Sequence, residues 1–143
     1  HIQEKEAQRL GEIVIDSIGL AAAADDSVLH AQDRLSRIHG RARAYIDSHL
    51  SDPQLHTREI ARHCRVSERQ LYMAFSASGE TVAGYIREKR LLCCQSDLFS
   101  EGGRGIFAIA QRWGYSSPAG FARAYRVRFG CSPSEARAQP PKV

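Results

Sequence analysis

Apolar residues recur at helical spacing along almost the whole chain. In the first segment Leu10, Ile13, Val14, Ser17, Ile18 and Ala21 share one face while Glu4, Glu6, Glu12 and Asp16 lie elsewhere, which predicts an amphipathic helix over residues 1–24. Asp25-Asp26-Ser27 is expected to end it, and the polar stretch 25–36 reads as a linker. A second stripe of Ile38, Ala42, Tyr45, Ile46 and Leu50 predicts a helix that stops before Asp52-Pro53, because the residue ahead of a proline is pushed out of the helical region. Further on, Thr81 to Phe99 has a helical pattern with Val82, Tyr85, Ile86, Leu92 and Cys93 as expected buried positions, and Glu101-Gly102-Gly103-Arg104-Gly105 breaks it.

An internal repeat organises the rest. Ile60-Ala61, Ser67, Leu71, Phe75, Gly79 and Thr81 match Ile109-Ala110, Ser117, Phe121, Tyr125, Gly130 and Ser132, with an offset that drifts by one residue in each of two loops. Each copy reads as a short helix (58–64; 106–113), a tight break and a longer helix (67–78; 117–129), which is helix-turn-helix grammar. The two units span about 57–78 and 106–129. Ser67 with Gln70 forms a capping box, Ser117 precedes Pro118 at the first helical position, and Gly79 and Gly130 fit left-handed stops. Ser132-Pro133-Ser134-Glu135 repeats the start signal for a closing helix to about Gln139, and Pro140-Pro141 is expected to end the fold. The predicted fold class is all-α, two helix-turn-helix subdomains joined by a long central helix, with an amphipathic helix ahead of them.

Charge sharpens this picture. Residues 1–36 hold three Lys/Arg against seven Asp/Glu and residues 37–143 hold seventeen against nine, so the segments carry −4 and +8 within a net charge of +4. The positive residues are almost all arginines, whose planar forks suit phosphate and guanine, and a basic domain attracts polyanions by counterion release. Residues 106–129 contain Arg112, Arg123, Arg126 and Arg128 without an acid, a helix pair expected to be unopposed by negative charge. Cys64, Cys93, Cys94 and Cys131 lack metal-ligand or disulfide-framework spacing and read as reduced, mostly buried thiols. His49, His56 and His63 recur every seven residues, which does not place two ligands on one helix face. No metal or cofactor is expected. Without an apolar run of ~20 residues or a signal-peptide pattern, a soluble, cytoplasmic, nucleoid-associated chain with no membrane contact is expected.

Helical geometry selects the candidate DNA contacts. With Leu71, Ala74, Phe75 and Ser78 inward, Arg69, Met73 and Ser76 point outward, flanked by Gln70 and Tyr72. With Phe121, Ala124 and Tyr125 inward, Ala119, Arg123 and Arg126 point outward, with Pro118 near the edge. An outward Arg can hold guanine bidentately, apolar groups can meet thymine methyls, and Ser67 and Ser117 lie at helix starts suited to phosphate.

Ile109-Ala110-Gln111-Arg112-Trp113-Gly114-Tyr115, Phe121-Ala122-Arg123-Ala124-Tyr125 and Arg128-Phe129-Gly130-Cys131-Ser132-Pro133-Ser134-Glu135 resemble the signature of the AraC/XylS regulator family. Gly79, Tyr85-Ile86-Arg87 and Arg90-Leu91 resemble its mid-domain pattern, so the likeness covers roughly residues 36–137. The resemblance implies a seven-helix DNA-binding domain over 37–139, with each unit's second helix in one of two consecutive major grooves. It implies base-reading positions at Arg69, Tyr72 and Met73 in the first unit and at Pro118, Ala119 and Arg123 in the second. Arg65 departs from the pattern where the second copy has Gly114, and left-handed geometry there costs ~1 kcal/mol or more. Members usually carry an effector-binding or dimerisation domain ahead of this one, and residues 1–24 look like the last helix of such a domain.

The expected function is therefore a sequence-specific transcription regulator without enzymatic activity. Its expected partners are double-stranded DNA, RNA polymerase at the promoter, and a second copy bound through the N-terminal segment or a missing domain. Two readings compete. A repair methyltransferase would use a reactive Cys, but Cys93-Cys94 shows no activating neighbour in sequence. A basic helical module for acidic proteins fits the charge but leaves the twin units unexplained.

Overall fold

The computed structural model describes the backbone of residues 2–139 and the side chains of residues 25–139. Among these there are seven helices and no strand: α1 (Ile2–Ser48), α2 (Thr57–Cys64), α3 (Glu68–Ala77), α4 (Val82–Ser100), α5 (Ile106–Arg112), α6 (Pro118–Phe129) and α7 (Pro133–Ala138). The chain divides into two compact units, the first ending at Arg37 and the second starting at Ile38. The expected stop at Pro140-Pro141 and the side chains of the apolar face over residues 10–21 lie outside the described residues.

In the first unit, the stretch 25–36 expected as a linker is helical, so Asp25-Asp26-Ser27 does not terminate α1. The physical reason is local. No proline or glycine interrupts residues 25–36, and Asp33 accepts from Arg37 Nη2 at 2.5 Å across one helical turn.

In the second unit, each repeat has its own buried set. Ile38, Ala42 and Ile46 on the last turns of α1 are buried, as are Ile60, Ala61 and Cys64 of α2, Leu71, Ala74 and Phe75 of α3, and Val82, Tyr85 and Ile86 of α4. The Phe75 ring meets the edge of His39 at 4.7 Å and of Tyr85 at 5.9 Å, tying α1, α3 and α4 together. The Tyr45 hydroxyl donates to Glu59 and the Tyr85 hydroxyl to Asp47, both at 2.9 Å, which satisfies two half-buried polar tips. The other core gathers Leu91, Cys94, Leu98, Ile109, Ala110, Phe121, Tyr125 and Ala136. Burying one such large apolar side chain contributes roughly 1.5–3 kcal/mol.

The central helix differs from its expected register. Leu92 is exposed and Cys93 only half-buried, while Leu91, Cys94 and Leu98 are buried. At ~100° per residue, Val82, Tyr85 and Ile86 lie on one face and Leu91, Cys94 and Leu98 on nearly the opposite one. A single stripe extended along α4 would assume one partner, but its first half packs on α3 and its second on α5 and α7.

Candidate nucleic-acid interface

Both helix pairs close in the same way. After α2, Arg65 adopts φ 58° and Val66 N donates to Ala61 O at 3.0 Å. After α5, Gly114 adopts φ 91° and Tyr115 N donates to Ala110 O at 3.0 Å. This six-residue closure satisfies carbonyls at the end of the short helix and aims the next one. Arg65 is the one non-glycine residue with positive φ among the described residues, so the first turn carries the strain expected of it.

The starts of the long helices are fixed by side chains. Ser67 Oγ accepts from Gln70 N, and Gln70 Oε1 accepts from Ser67 N, both at 3.1 Å. Ser117 Oγ accepts from Gly120 N at 3.2 Å, with Pro118 at the first helical position. Ser67 Oγ, Gln70 Oε1 and Ser117 Oγ are thus engaged by their own helices. The second box, Ser132 with Glu135, starts α7.

On α3, Leu71, Ala74 and Phe75 are buried, whereas Arg69 and Ser76 are exposed and Tyr72 and Met73 are 50% and 48% exposed. The Tyr72 hydroxyl reaches only Thr57 Oγ1, at 3.4 Å. Ser78, expected on the inner face, is exposed because α3 ends at Ala77 and the chain turns outward toward Gly79 at φ 75°. On α6, Phe121 and Tyr125 are buried and Ala124 half-buried, while Pro118, Ala119, Arg123 and Arg126 are exposed.

The expectation that residues 106–129 lack opposing charge fails, because acids from other elements reach them. Arg112 Nη1 donates to Asp97 at 2.9 Å and to Glu101 at 3.0 Å, and Arg112 Nη2 donates to Glu101 at 3.1 Å. The Trp113 indole donates to the same Asp97 oxygen at 2.7 Å, so this cluster rivets α5 to α4. Arg128 grips Glu88 bidentately at 2.7 and 2.8 Å, which holds the Glu88 carboxyl below its usual range. Arg126 contacts Glu135 at 3.4 Å. Arg123 alone among the arginines of α6 has no carboxylate partner among the described residues.

Arg123 also lines a cleft of about 570 Å³ between α4 and α6, with Arg87, Glu88, Leu91, Val127 and Arg128 on its walls. Arg87 is exposed and absent from the sequence-derived contact set. Its signal was its place off the buried Val82, Tyr85, Ile86 stripe, about one turn after Gly84.

Cys64, Cys93 and Cys94 lack the setting of a nucleophile. Cys64 and Cys94 are buried, Cys93 and Cys131 half-buried, and burial pushes the Cys94 thiol up to about 12 and also raises Cys93. The three histidines have structural roles: His49 and His63 stack on Tyr45 at 4.0 and 4.2 Å, and His56 Nδ1 caps α2 by accepting from Arg58 N. No group of three or more His, Cys, Asp or Glu able to hold a metal occurs among the described residues. No helix there is long and apolar enough to cross a membrane.

Comparison with known proteins places this geometry. Residues 60–139 match the model of a helix-turn-helix domain family. The chain is 37% identical over 122 residues to the regulatory protein HrpB of Ralstonia nicotianae, covering 83% of this chain and 25% of that protein. It is 35% identical over 95 residues to the regulatory protein SoxS of Escherichia coli K12, covering 66% of this chain and 87% of that one. The chain thus spans about a quarter of HrpB but most of SoxS. Among solved structures, the C-terminal domain of AraT, a response regulator from Geobacillus stearothermophilus, superposes with a TM-score of 0.70 at 29% identity, covering 77% of this chain and 91% of that one. The DNA-binding domain of the transcriptional factor AdpA, solved in complex with a target DNA, superposes with a TM-score of 0.64 at 25% identity, covering 69% and 88%. The duplicated turn, the paired caps and these likenesses together make the chain a member of the AraC-type helix-turn-helix family, the DNA-binding domains of transcription regulators.

Proposed function

We propose that α3 and α6 read two consecutive major-groove segments of one DNA duplex. Arg69, Tyr72, Met73 and Ser76 face base edges from the first, and Pro118, Ala119 and Arg123 from the second. Gln70 and Arg126 flank these stripes, and the helix starts at Ser67 and Ser117 approach phosphates through the first-turn amides that the caps do not engage. The carrying observation is that both long helices expose a stripe with almost no partner inside the protein, although Tyr72, Met73 and Arg123 are costly side chains to leave idle. The nineteen residues of α4 rise about 28 Å, on the scale of the ~34 Å turn of B-DNA.

The wider roles follow from this reading. The chain works as a regulator in the cytoplasm, at the nucleoid, with RNA polymerase at the promoter as a second partner. Residues 1–24, the N-terminal part of this chain, belong with an effector-binding or dimerisation domain, and a second copy associates through this segment or through that domain. No catalytic residue is assigned, in keeping with thiols whose burial disfavours the thiolate.

Selection of bound fragments from random DNA, followed by anisotropy titration at ~50 and ~200 mM salt, tests the reading. A protein neutralising six or more phosphates should lose about a thousandfold in affinity across that range. Failure to enrich any motif, or affinity indifferent to salt, would overturn it.

A further inference from the structure

Arg90 occupies an unusual place at the centre of the fold. It stands half-buried on α4, between the turns that serve the first core and those that serve the second. Its Nε donates to Leu50 O at 3.1 Å and its Nη2 to Asp52 O at 2.6 Å, two carbonyls just beyond the end of α1. The cation therefore sits beside the C-terminal end of α1, where the helix dipole places a partial negative charge, and shares the Asp52 carbonyl with Leu55 N. On its other side lies the turn of the second helix-turn-helix. A Cβ built on Gly114 would come within 2.8 Å of the Arg90 Cζ and 2.9 Å of Nη2, so the bare backbone of that turn rests against the guanidinium.

One planar group thus touches the connection that follows α1, in the first half, and the α5–α6 turn that aims α6, in the second. We propose that Arg90 is a positioning residue that sets the second recognition helix relative to the first, and thereby the half-site spacing the protein accepts on DNA. The inference rests on the two-groove reading above. A guanidinium suits this role because its fork bonds two carbonyls in one plane while its face remains free to support a glycine backbone. Lysine reaches the carbonyls but offers no face.

The test uses the 143-residue chain, a selected two-half-site fragment, each half-site alone, and variants of the fragment with one base pair inserted or removed between the halves. The native protein should prefer one spacing. Arg90→Ala should bind the two-half-site fragment at least tenfold more weakly, bind isolated half-sites within about twofold of native, and lose its preference among spacings. Arg90→Lys, which keeps the cation and a donor, should flatten the spacing preference less and holds the test open if the alanine variant does not fold. An unchanged spacing preference in a folded Arg90 variant would overturn the proposal. So would an equal loss on half-sites and full sites, the mark of a merely structural role. If the native protein binds none of these fragments, the two-groove reading itself fails.

Discussion

Arg123 and Arg128 lie on one helix, five positions apart, and have opposite fates. Arg128 is clamped on Glu88, whereas Arg123 faces the open α4–α6 cleft with no carboxylate partner among the described residues. A free, exposed guanidinium on a recognition helix is available for guanine or phosphate, so Arg123→Ala should reduce specific DNA affinity by ~1–3 kcal/mol with the melting curve unchanged. Gel-shift titration beside thermal unfolding measures both. Leu71→Ala, at a fully buried site on α3, should do the reverse and cost ~2–5 kcal/mol of folding stability. A melting curve that barely moved would mean the α3 register is wrong. Single residues were legible in sequence when their fate depended on neighbours within one helix: Ser67 with Gln70, Ser117 with Pro118, and the inward Leu71 and Phe121. They were illegible when it depended on another element. Glu88, Asp97, Glu101 and Glu135 all lie outside the stretch whose arginines they pair with.

At the scale of elements, the two turns form a natural pair of variants. Arg65 and Gly114 close the same six-residue hydrogen-bonded ring, but only glycine does so without steric cost. Arg65→Gly should therefore stabilise the protein by up to about 1 kcal/mol, seen as a higher midpoint in chemical denaturation with an unchanged slope. A lower midpoint would mean that the Arg65 side chain contributes more than its backbone strain removes. Most element boundaries were within a residue or two of their expected positions because caps and glycines announce them. The two exceptions have different causes. Asp25-Asp26-Ser27 does not stop α1, because the polar residues 25–36 contain no glycine or proline and continue a helix readily. In α4 the buried stripe changes face where the packing partner changes, which a hydrophobic pattern alone does not mark.

At the scale of the whole molecule, charge governs both binding and acid stability. Residues 37–143 hold seventeen Lys/Arg against nine Asp/Glu, and some of those acids pair internally with arginines: Glu88 on α4, Glu101 just beyond it and Glu135 on α7. Hydrogen bonds from Arg128 and Arg112 hold the Glu88 and Glu101 carboxyls below their ordinary 4.5. A carboxylate depressed in the folded state favours folding above its unfolded value, and that contribution disappears as pH falls through the folded one. The melting temperature should thus be nearly level from neutral pH down to about 4.5 and drop below it, more gently in a Glu88→Gln, Glu101→Gln double variant. An identical acid limb in the variant would show that other groups drive the unfolding.

The only tryptophan in the chain, Trp113, is hydrogen-bonded to Asp97 at the joint of α4 and α5. Its intrinsic fluorescence is consequently a label-free optical gauge of that joint. Tracked beside the far-ultraviolet helix signal, it would tell whether the second reading head melts together with the first or comes loose before it.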